Sequence, residues 1–245
     1  MTKLKKPEAF PDLASEVASG FLFEGKLIIG VDEVGRGCLA GPVVAAAAAL
    51  PHDILERFGF LSDGSRPRAK KKLEAPVFQV RDSKLIPEDE RAPLAAAVSQ
   101  IVTYSSVKEA SVAEINQLNI LYASHLAMER AVEEIEMQFG RKADLVLVDG
   151  NMVPKRLKDR GVAIIKGDLK SLTIACASIL AKVYRDDLMK TLDYSHPGYG
   201  FKQHKGYPTP FHKSQIISLG VTEHHRAGFA GVSEVLKAQA SLFDE

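Results

Sequence analysis

KLIIGVDEVGRGCLAGPVVAAAAAL (26–50) contains two short apolar runs, which a stretch with three glycines and a proline separates. Because these residues favour a turn over a continued strand, the pattern predicts a β-hairpin. Asp32 and Glu33 interrupt the first run near the turn, where an ionised carboxylate is costly to bury without a cation or several donors. The same stretch therefore predicts both the beginning of a sheet and part of a functional site.

The rest of the chain alternates strand and helix patterns. LVLVDG (145–150) and VAIIKGD (162–168) are typical of buried strands, and they place Asp149 and Asp168 at or near strand ends. A capping-box pattern at Ser111 begins one long amphipathic helix that continues to Gly140. Residues 171–193 form a second helix pattern, and 233–242 a third. This order predicts an α/β fold, with a small appended region after about residue 194.

Composition limits the classes of function. Hydrophobic residues make up 46% and charged residues 26% of the 245, as in ordinary globular proteins. Neither a membrane-span pattern nor a signal-peptide pattern is found, so we expect a cytoplasmic protein that does not enter a membrane. Cys38 and Cys176 lack the spacing of a zinc site and are expected to be buried thiols. Residues 51–81 are polar and irregular, which predicts a surface insertion.

Charge is balanced over the whole chain. The net charge is only +1, so a nucleic-acid surface would have to be local. Basic residues cluster within 66–72 and 202–213, and each cluster taken alone favours a solvated face over a binding patch. Composition therefore leaves nucleic-acid binding open.

The four acids have a clearer chemical meaning. Acids at glycine-bearing strand ends can converge in one cleft, where oxygen ligands suit Mg²⁺ or Mn²⁺. Two such ions about 3.5–4 Å apart could activate water and stabilise the leaving oxygen of a phosphodiester. The alternative is that each acid simply faces water at a strand end. Neighbouring strand residues point to opposite faces, so convergence of Asp32 and Glu33 requires a bend, which Gly35 and Gly37 would permit.

Eight motifs in order resemble ribonuclease HII, a family of metal-dependent endonucleases. They cover about 200 residues. The motifs are GVDEVGRGCLAGPVV (30–44), DSK (82–84), LNILYASHLAMERAV (118–132), VDGN (148–151), KGD (166–168), ASILAKVYRD (177–186), YGFKQHKGYPTPFH (199–212) and EHHRAGF (223–229).

The resemblance implies a fold and a reaction. The fold would be a ribonuclease-H-like mixed β-sheet flanked by helices, with a catalytic domain at 1–194 and a substrate-binding helical region at 195–245. The reaction would be hydrolysis of the RNA strand of RNA–DNA hybrids, with nicking 5′ of single ribonucleotides in duplex DNA. Products would carry 5′-phosphate and 3′-hydroxyl ends. Asp32, Glu33, Asp149 and Asp168 would form the catalytic quartet that binds Mn²⁺ or Mg²⁺.

The resemblance also implies how substrate is bound. The loop of Gly35, Arg36 and Gly37 would approach the ribose 2′-hydroxyl, and Tyr207 would pack on the sugar at an RNA-to-DNA junction. Without the resemblance, a simple hairpin turn and ordinary loop packing would be the favoured explanations of these residues. Further expected phosphate contacts are Lys84, Lys182, Arg185 and Lys205.

Other residues receive less direct roles. Asp186 is expected to be structural, and His224 and His225 to be surface polar residues. The chain departs from the family pattern at 51–81, which is longer than usual, and at Ala175 and Cys176, which replace a serine–alanine pair.

Two alternatives remain at this point. One is a protein that binds hybrids without cleaving them, although none of the four expected acids is substituted. The other is a different nuclease or strand-transfer enzyme on the same fold, since a fold does not fix a function. The expected partner is RNA–DNA hybrid or ribonucleotide-containing DNA, and the expected assembly is a monomer.

Overall fold

The two apolar runs of 26–50 form an antiparallel pair, which confirms the predicted hairpin. β1 (Ile28–Val34) and β2 (Val43–Ala49) pair in one continuous register. The structure is a computed structural model, and it describes residues 15–16, 25–52, 54, 80, 83 and 85–241. Most of the predicted insertion at 51–81 lies outside these residues, as does Lys84.

β1 and β2 belong to a mixed sheet of five strands in the order β3-β2-β1-β4-β5. The other strands are β3 (Tyr104–Ala110), β4 (Leu145–Asp149) and β5 (Gly161–Ile164). β1 pairs antiparallel with β2 and parallel with β4, so it lies at the change of direction in the sheet. Sequence analysis missed β3, because its half-buried, mostly polar residues lack strict alternation.

Helices cover both faces of this sheet, as the α/β pattern predicts. The bounds are α1 (Glu88–Ile101), α2 (Val112–Leu118), α3 (Ile120–Phe139), α4 (Leu172–Ser195), α5 (Phe201–His204), α6 (Pro210–Leu219) and α7 (Ser233–Ser241). α1 and α4 pack on one face and α3 on the other. The alanine-rich β2 is buried along its whole length, and its small side chains allow α3 and α4 to approach closely.

The predicted helix from Ser111 to Gly140 is two helices. Its capping box is confirmed, since Ser111 and Glu114 exchange the expected hydrogen bonds. The break comes at Asn119, whose φ of 68° lies outside the right-handed helical region. Its side chain accepts the backbone N–H groups of Leu121 and Tyr122 and so begins α3. The apolar periodicity continues across the break, which explains why the pattern predicts one helix.

The C-terminal helices pack on the hairpin turn and on α4. One cluster joins Ala40 and Met189 to Phe201, and another joins Leu39 to Ile216 and Val232. The domain boundary at 194 stays a prediction. Among the helices that the structure describes, none combines the length and apolar character needed to cross a membrane.

Candidate active site

The parallel strands β1 and β4 bring acids together at their carboxyl ends. Their register pairs Val31 with Val148, so Asp32 and Asp149 occupy the next position on each strand. Together with Glu33, they each place a carboxylate oxygen within 4.8 Å of the other two. We call Asp32, Glu33 and Asp149 the acidic cluster. Three of the four predicted acids thus meet at the point where the sheet changes direction.

Asp32 and Glu33 converge although they are neighbours on one strand. The β1–β2 register is unbroken through Val34, so no bulge accounts for the convergence. Pairing with β4 ends at Val31, which leaves that edge of β1 open beyond it. The Glu33 backbone N–H donates to Asp32 Oδ1 at 2.7 Å. Because β4 does not pair with β1 beyond Val31, both carboxylates have access to this open edge.

The acidic cluster concentrates negative charge in a buried place. Burial raises the pKa of Asp32 well above its usual range, and the charges of Glu33 and Asp149 raise it further. Burial also raises the pKa of Glu33, against the lowering effect of the Arg36 guanidinium at 3.3 Å. The Ser178 hydroxyl donates a hydrogen bond to Asp32. One arginine cannot neutralise three acids, so the donor set fits a hard divalent cation such as Mg²⁺ or Mn²⁺.

Asp168 lies beside the acidic cluster but is not part of it. It belongs to a 3₁₀ turn (Gly167–Leu169), whereas the sequence pattern places it at a strand end. β5 ends at Ile164, and Lys166 takes a left-handed φ of 57° before the turn. The Gly167 backbone N–H donates to Asp149 Oδ1 at 2.6 Å, which ties this turn to the cluster. The charge of Asp168 also contributes to the raised pKa of Asp32.

Arg185 of α4 supports the hairpin loop (35–42) from beneath. Its guanidinium donates to the backbone carbonyls of Ala40 and Pro42, both at 3.1 Å, and of Lys205 at 2.8 Å. The side chain is fully buried. The phosphate contact predicted for Arg185 is therefore wrong for this conformation, because the guanidinium donates its hydrogen bonds to backbone carbonyls and does not reach the surface.

Arg226 supports the same loop from the C-terminal region. It donates to the carbonyls of Arg36 and Gly41, both at 2.9 Å, and its backbone N–H donates to Leu39 at 2.8 Å. Burial lowers the pKa of Arg226 to about 10, so the guanidinium stays charged at neutral pH. Two buried cations thus hold backbone carbonyls of the same loop.

The two glycines of the GRG motif have different environments. Gly35 has a φ of 93°, and a Cβ there would overlap the Arg185 side chain. The fold itself therefore requires glycine at position 35. A Cβ on Gly37 would meet no atom of the described chain within 4 Å. Packing within the described chain therefore does not require glycine at position 37.

Tyr207 lies on a second loop (205–209) that is joined to the hairpin loop. The Leu39 backbone N–H donates to the Gly206 carbonyl at 2.8 Å, and a Cβ on Gly206 would collide with the Ala40 carbonyl. Tyr207 follows directly and is 39% exposed. The structure thus joins the loop that carries Tyr207 to the hairpin loop that carries Gly35, Arg36 and Gly37.

Two of the lysines predicted to bind phosphate, Lys182 and Lys205, already have partners. Lys182 forms an ion pair with Asp186 one helical turn away, and Arg91 approaches the same carboxylate at 3.7 Å. Asp186 is therefore structural, in line with the prediction. Lys205 Nζ lies 3.1 Å from Glu88 and is mostly buried. A phosphate contact by Lys182 or Lys205 stays a prediction, and it would require each lysine to leave its present partner.

The histidines differ from the predicted surface role. His225 is buried, and its Nε2 lies 3.2 Å from Nε2 of the fully buried His212. The His212 Nδ1 faces the Tyr207 carbonyl at 2.9 Å. His225 thus belongs to the support of the Tyr207 loop, and the surface prediction is wrong for it. His224 is half-buried and lies near His196.

Two supporting residues escaped the sequence analysis. Ser178 was not singled out from the sequence, although its place on the sheet-facing side of α4 could have suggested the hydroxyl contact to Asp32. Arg226 stands in an irregular stretch without periodicity, and the sequence carries no signal that it contacts a loop 190 residues earlier.

Comparison with known proteins points to one family. The family model described as ribonuclease HII matches residues 29–63 and 65–232. A ribonuclease HII from Cereibacter sphaeroides is 44% identical over 234 residues, 95% of this chain and 97% of its own. Another from Paracoccus denitrificans is 43% identical over 228 residues, 93% of this chain and 95% of its own. The matched residues include all four predicted acids and both loops.

Solved structures share the fold. The ribonuclease H2 of Pyrococcus horikoshii gives a TM-score of 0.65 at 23% identity, covering 86% of this chain and 98% of that one. A Bst-RNase HIII in complex with Mn²⁺ gives 0.67 at 18% identity, covering 97% and 75%. These likenesses confirm the ribonuclease-H-like fold that the motifs predict.

Proposed function

Since the chain belongs to the ribonuclease HII family and is thus an endonuclease of the ribonuclease H type, we propose its substrate and its manner of cleavage. The enzyme hydrolyses the RNA strand of RNA–DNA hybrids and nicks duplex DNA 5′ of a single ribonucleotide. It leaves 5′-phosphate and 3′-hydroxyl ends. The convergence of three buried or half-buried carboxylates beside the GRG motif is the observation that carries this proposal.

Asp32, Glu33 and Asp149 would hold divalent metal, with Asp168 close enough to join them. When bound, two such ions would polarise the attacking water and stabilise the leaving oxygen. The raised pKa values of Asp32 and Glu33 support this assignment, because a cation would offset both the burial and the neighbouring negative charge that raise them. The related Bst-RNase HIII was solved with Mn²⁺, which supports the same class of ion here.

The two joined loops would select the ribonucleotide. The open space at Gly37 would let the backbone approach a 2′-hydroxyl, which distinguishes RNA from DNA. The exposed ring of Tyr207 would pack on the sugar of the following nucleotide. Arg185 and Arg226 would hold the hairpin loop and the Tyr207 loop in fixed positions, because they donate hydrogen bonds to the loop carbonyls. They act as positioning residues.

The test is cleavage of a duplex DNA with one ribonucleotide, in Mg²⁺ or Mn²⁺. The native enzyme should nick on the 5′ side of the ribonucleotide. Asp149→Asn should abolish cleavage, and Tyr207→Ala should weaken it at the single ribonucleotide more than on a long hybrid. Tyr194→Ala is the matched control, because Tyr194 is 92% exposed on α4 and lies outside both loops.

Two results would count against the proposal. Binding without cleavage in either metal would leave a hybrid-binding protein as the better account. Equal cleavage of all-DNA duplexes would favour another nuclease on this fold. We also propose that the enzyme acts as a monomer, and light scattering during gel filtration would reveal a larger assembly.

A further inference from the structure

A second group of metal-ligand side chains lies outside the acidic cluster. His196 caps the end of α4, while Glu223 and His224 lie in the stretch between α6 and α7. One ligand atom from each lies within 4.8 Å of the other two. We call these three the His–Glu–His cluster. It shares no residue with the proposed nuclease centre.

The two imidazoles point at the same carboxylate oxygen. His224 Nε2 lies 3.4 Å from Glu223 Oε1, and His196 Nε2 lies 3.9 Å from it. In a tetrahedral zinc site with bonds of about 2.0–2.1 Å, ligand atoms lie about 3.4 Å apart. One distance matches, and the other needs a shift of about half an ångström. Glu223 can supply it, because its side chain is 76% exposed.

The hydrogen bonds of His196 favour a ligand-competent tautomer. The Ser195 hydroxyl donates to the Leu192 carbonyl at 3.1 Å, so its oxygen is left to accept from His196 Nδ1 at 3.0 Å. With its proton on Nδ1, the ring presents an Nε2 lone pair to the carboxylate. Two lone pairs facing each other are unfavourable unless a metal ion or a proton on Nε2 lies between them. Metal-binding histidines are commonly oriented by such a hydrogen bond on the second ring nitrogen.

We propose that His196, Glu223 and His224 bind a borderline transition-metal ion of the zinc type, with water as the fourth ligand. Imidazole and carboxylate suit Zn²⁺ and Co²⁺, whereas Mg²⁺ prefers oxygen ligands alone. The half-buried imidazoles and exposed carboxylate leave room for water.

The ion would connect the end of α4 to the stretch that leads into Arg226. His224 already accepts the Gly41 backbone N–H through its carbonyl at 2.8 Å. Bound metal would therefore stabilise the C-terminal support of the hairpin loop. It would act on stability and loop order, and it takes no part in phosphodiester hydrolysis.

The experiment is Zn²⁺ titration by calorimetry in excess Mg²⁺, with Co²⁺ absorption as the spectroscopic readout. Native protein should bind one Zn²⁺, give the visible bands of tetrahedral Co²⁺ and show a raised unfolding temperature. At a free Zn²⁺ concentration 100-fold above Kd, the rise should be on the order of 5 °C. His196→Ala and His224→Ala should each weaken binding at least about tenfold, and Ser195→Ala by about tenfold. His52→Ala controls for removal of a histidine outside the cluster.

Asp149→Asn separates the two candidate metal sites. It should leave the Zn²⁺ affinity and the Co²⁺ bands unchanged, because Asp149 is not in the His–Glu–His cluster. Zn²⁺ binding that survives both histidine substitutions, or disappears in Asp149→Asn, would overturn the proposal. If the native protein binds no Zn²⁺ although its circular dichroism shows that it is folded, the proposal is also overturned, and the cluster is only a histidine–glutamate ion pair.

Discussion

Replacing Arg185 by methionine removes the support of the hairpin loop without opening a large cavity. Three backbone carbonyls lose their donor, those of Ala40, Pro42 and Lys205. At roughly 1–3 kcal/mol for each unpaired acceptor, the loss is about 3–9 kcal/mol. The desolvation of the guanidinium disappears as well, so we expect a net cost of about 3–5 kcal/mol. For a chain of this length, the unfolding temperature should fall by on the order of 10 °C.

The hairpin loop should also be displaced, and the rate of cleavage should fall as a result. A displacement of about 1 Å can cost about 100-fold in rate, so kcat/KM per folded molecule should fall by about that factor. Urea unfolding gives the stability, and nicking of a single-ribonucleotide duplex gives the activity. Arg185→Lys should lie between native and Arg185→Met, because an ammonium keeps the charge but not the planar set of donors. Lys190→Met is the matched control, an exposed cation on the same helix that pairs with Asp187.

Two outcomes would refute this account. Stability within about 1 kcal/mol of the native protein would mean that the three carbonyls find other donors. Lost stability with unchanged activity per folded molecule would mean that Arg185 holds the fold together but does not position the loop.

Gly35→Ala should destabilise the folded protein by about 2–4 kcal/mol, because position 35 has a φ of 93° and a Cβ there overlaps the Arg185 side chain. Gly37→Ala should leave urea unfolding unchanged and lower only cleavage. Burial lowers the pKa of His212 and His225 to about 4, below an unfolded value of about 6.5. The unfolded chain therefore binds more protons below pH 6.5, and these histidines should cost roughly 1.4 kcal/mol each per pH unit between about pH 6.5 and 4. Urea unfolding at pH 7.5 and 5 measures this, and a stability that does not fall with pH contradicts it. Asp32→Asn should abolish cleavage but raise the free energy of unfolding in metal-free buffer at pH 7. The reason is that burial and neighbouring acids raise the pKa of the Asp32 carboxyl, so its ionised form destabilises the fold at this pH. A lower free energy of unfolding in this variant would contradict the placement of Asp32 in the acidic cluster. Repeating the pH series in this variant removes the opposing titration of Asp32.

Sequence patterns predicted the central part of the fold well. The hairpin, β4 and α4 all have strong, local apolar signals, and each is present. The edge strand β3 and the break at Asn119 were missed for opposite reasons. In β3, apolar and polar residues do not alternate clearly, because most of its side chains are only half-buried. In α2 and α3, the helical spacing of apolar residues continues across Asn119 without a change.

The candidate site was predictable in its acids but not in its supports. Asp32 and Asp149 come directly after apolar runs within β1 and β4, so their meeting requires only that these two strands be neighbours. The buried role of Arg185 was not predictable, because a cation on a helix is usually at the surface. Its partners are carbonyls, and carbonyls are present at every residue and leave no trace in a sequence.

The contact of Arg226 with the Arg36 carbonyl has a consequence during protein synthesis. The two residues are 190 positions apart in the chain. At about 5–20 residues per second, a ribosome adds the second roughly 10–40 s after the first. All four acids are already in the nascent chain by then, but the loop beside them still lacks its last support. The loop beside the acids therefore gains its support from Arg226 only well after those acids have been synthesised.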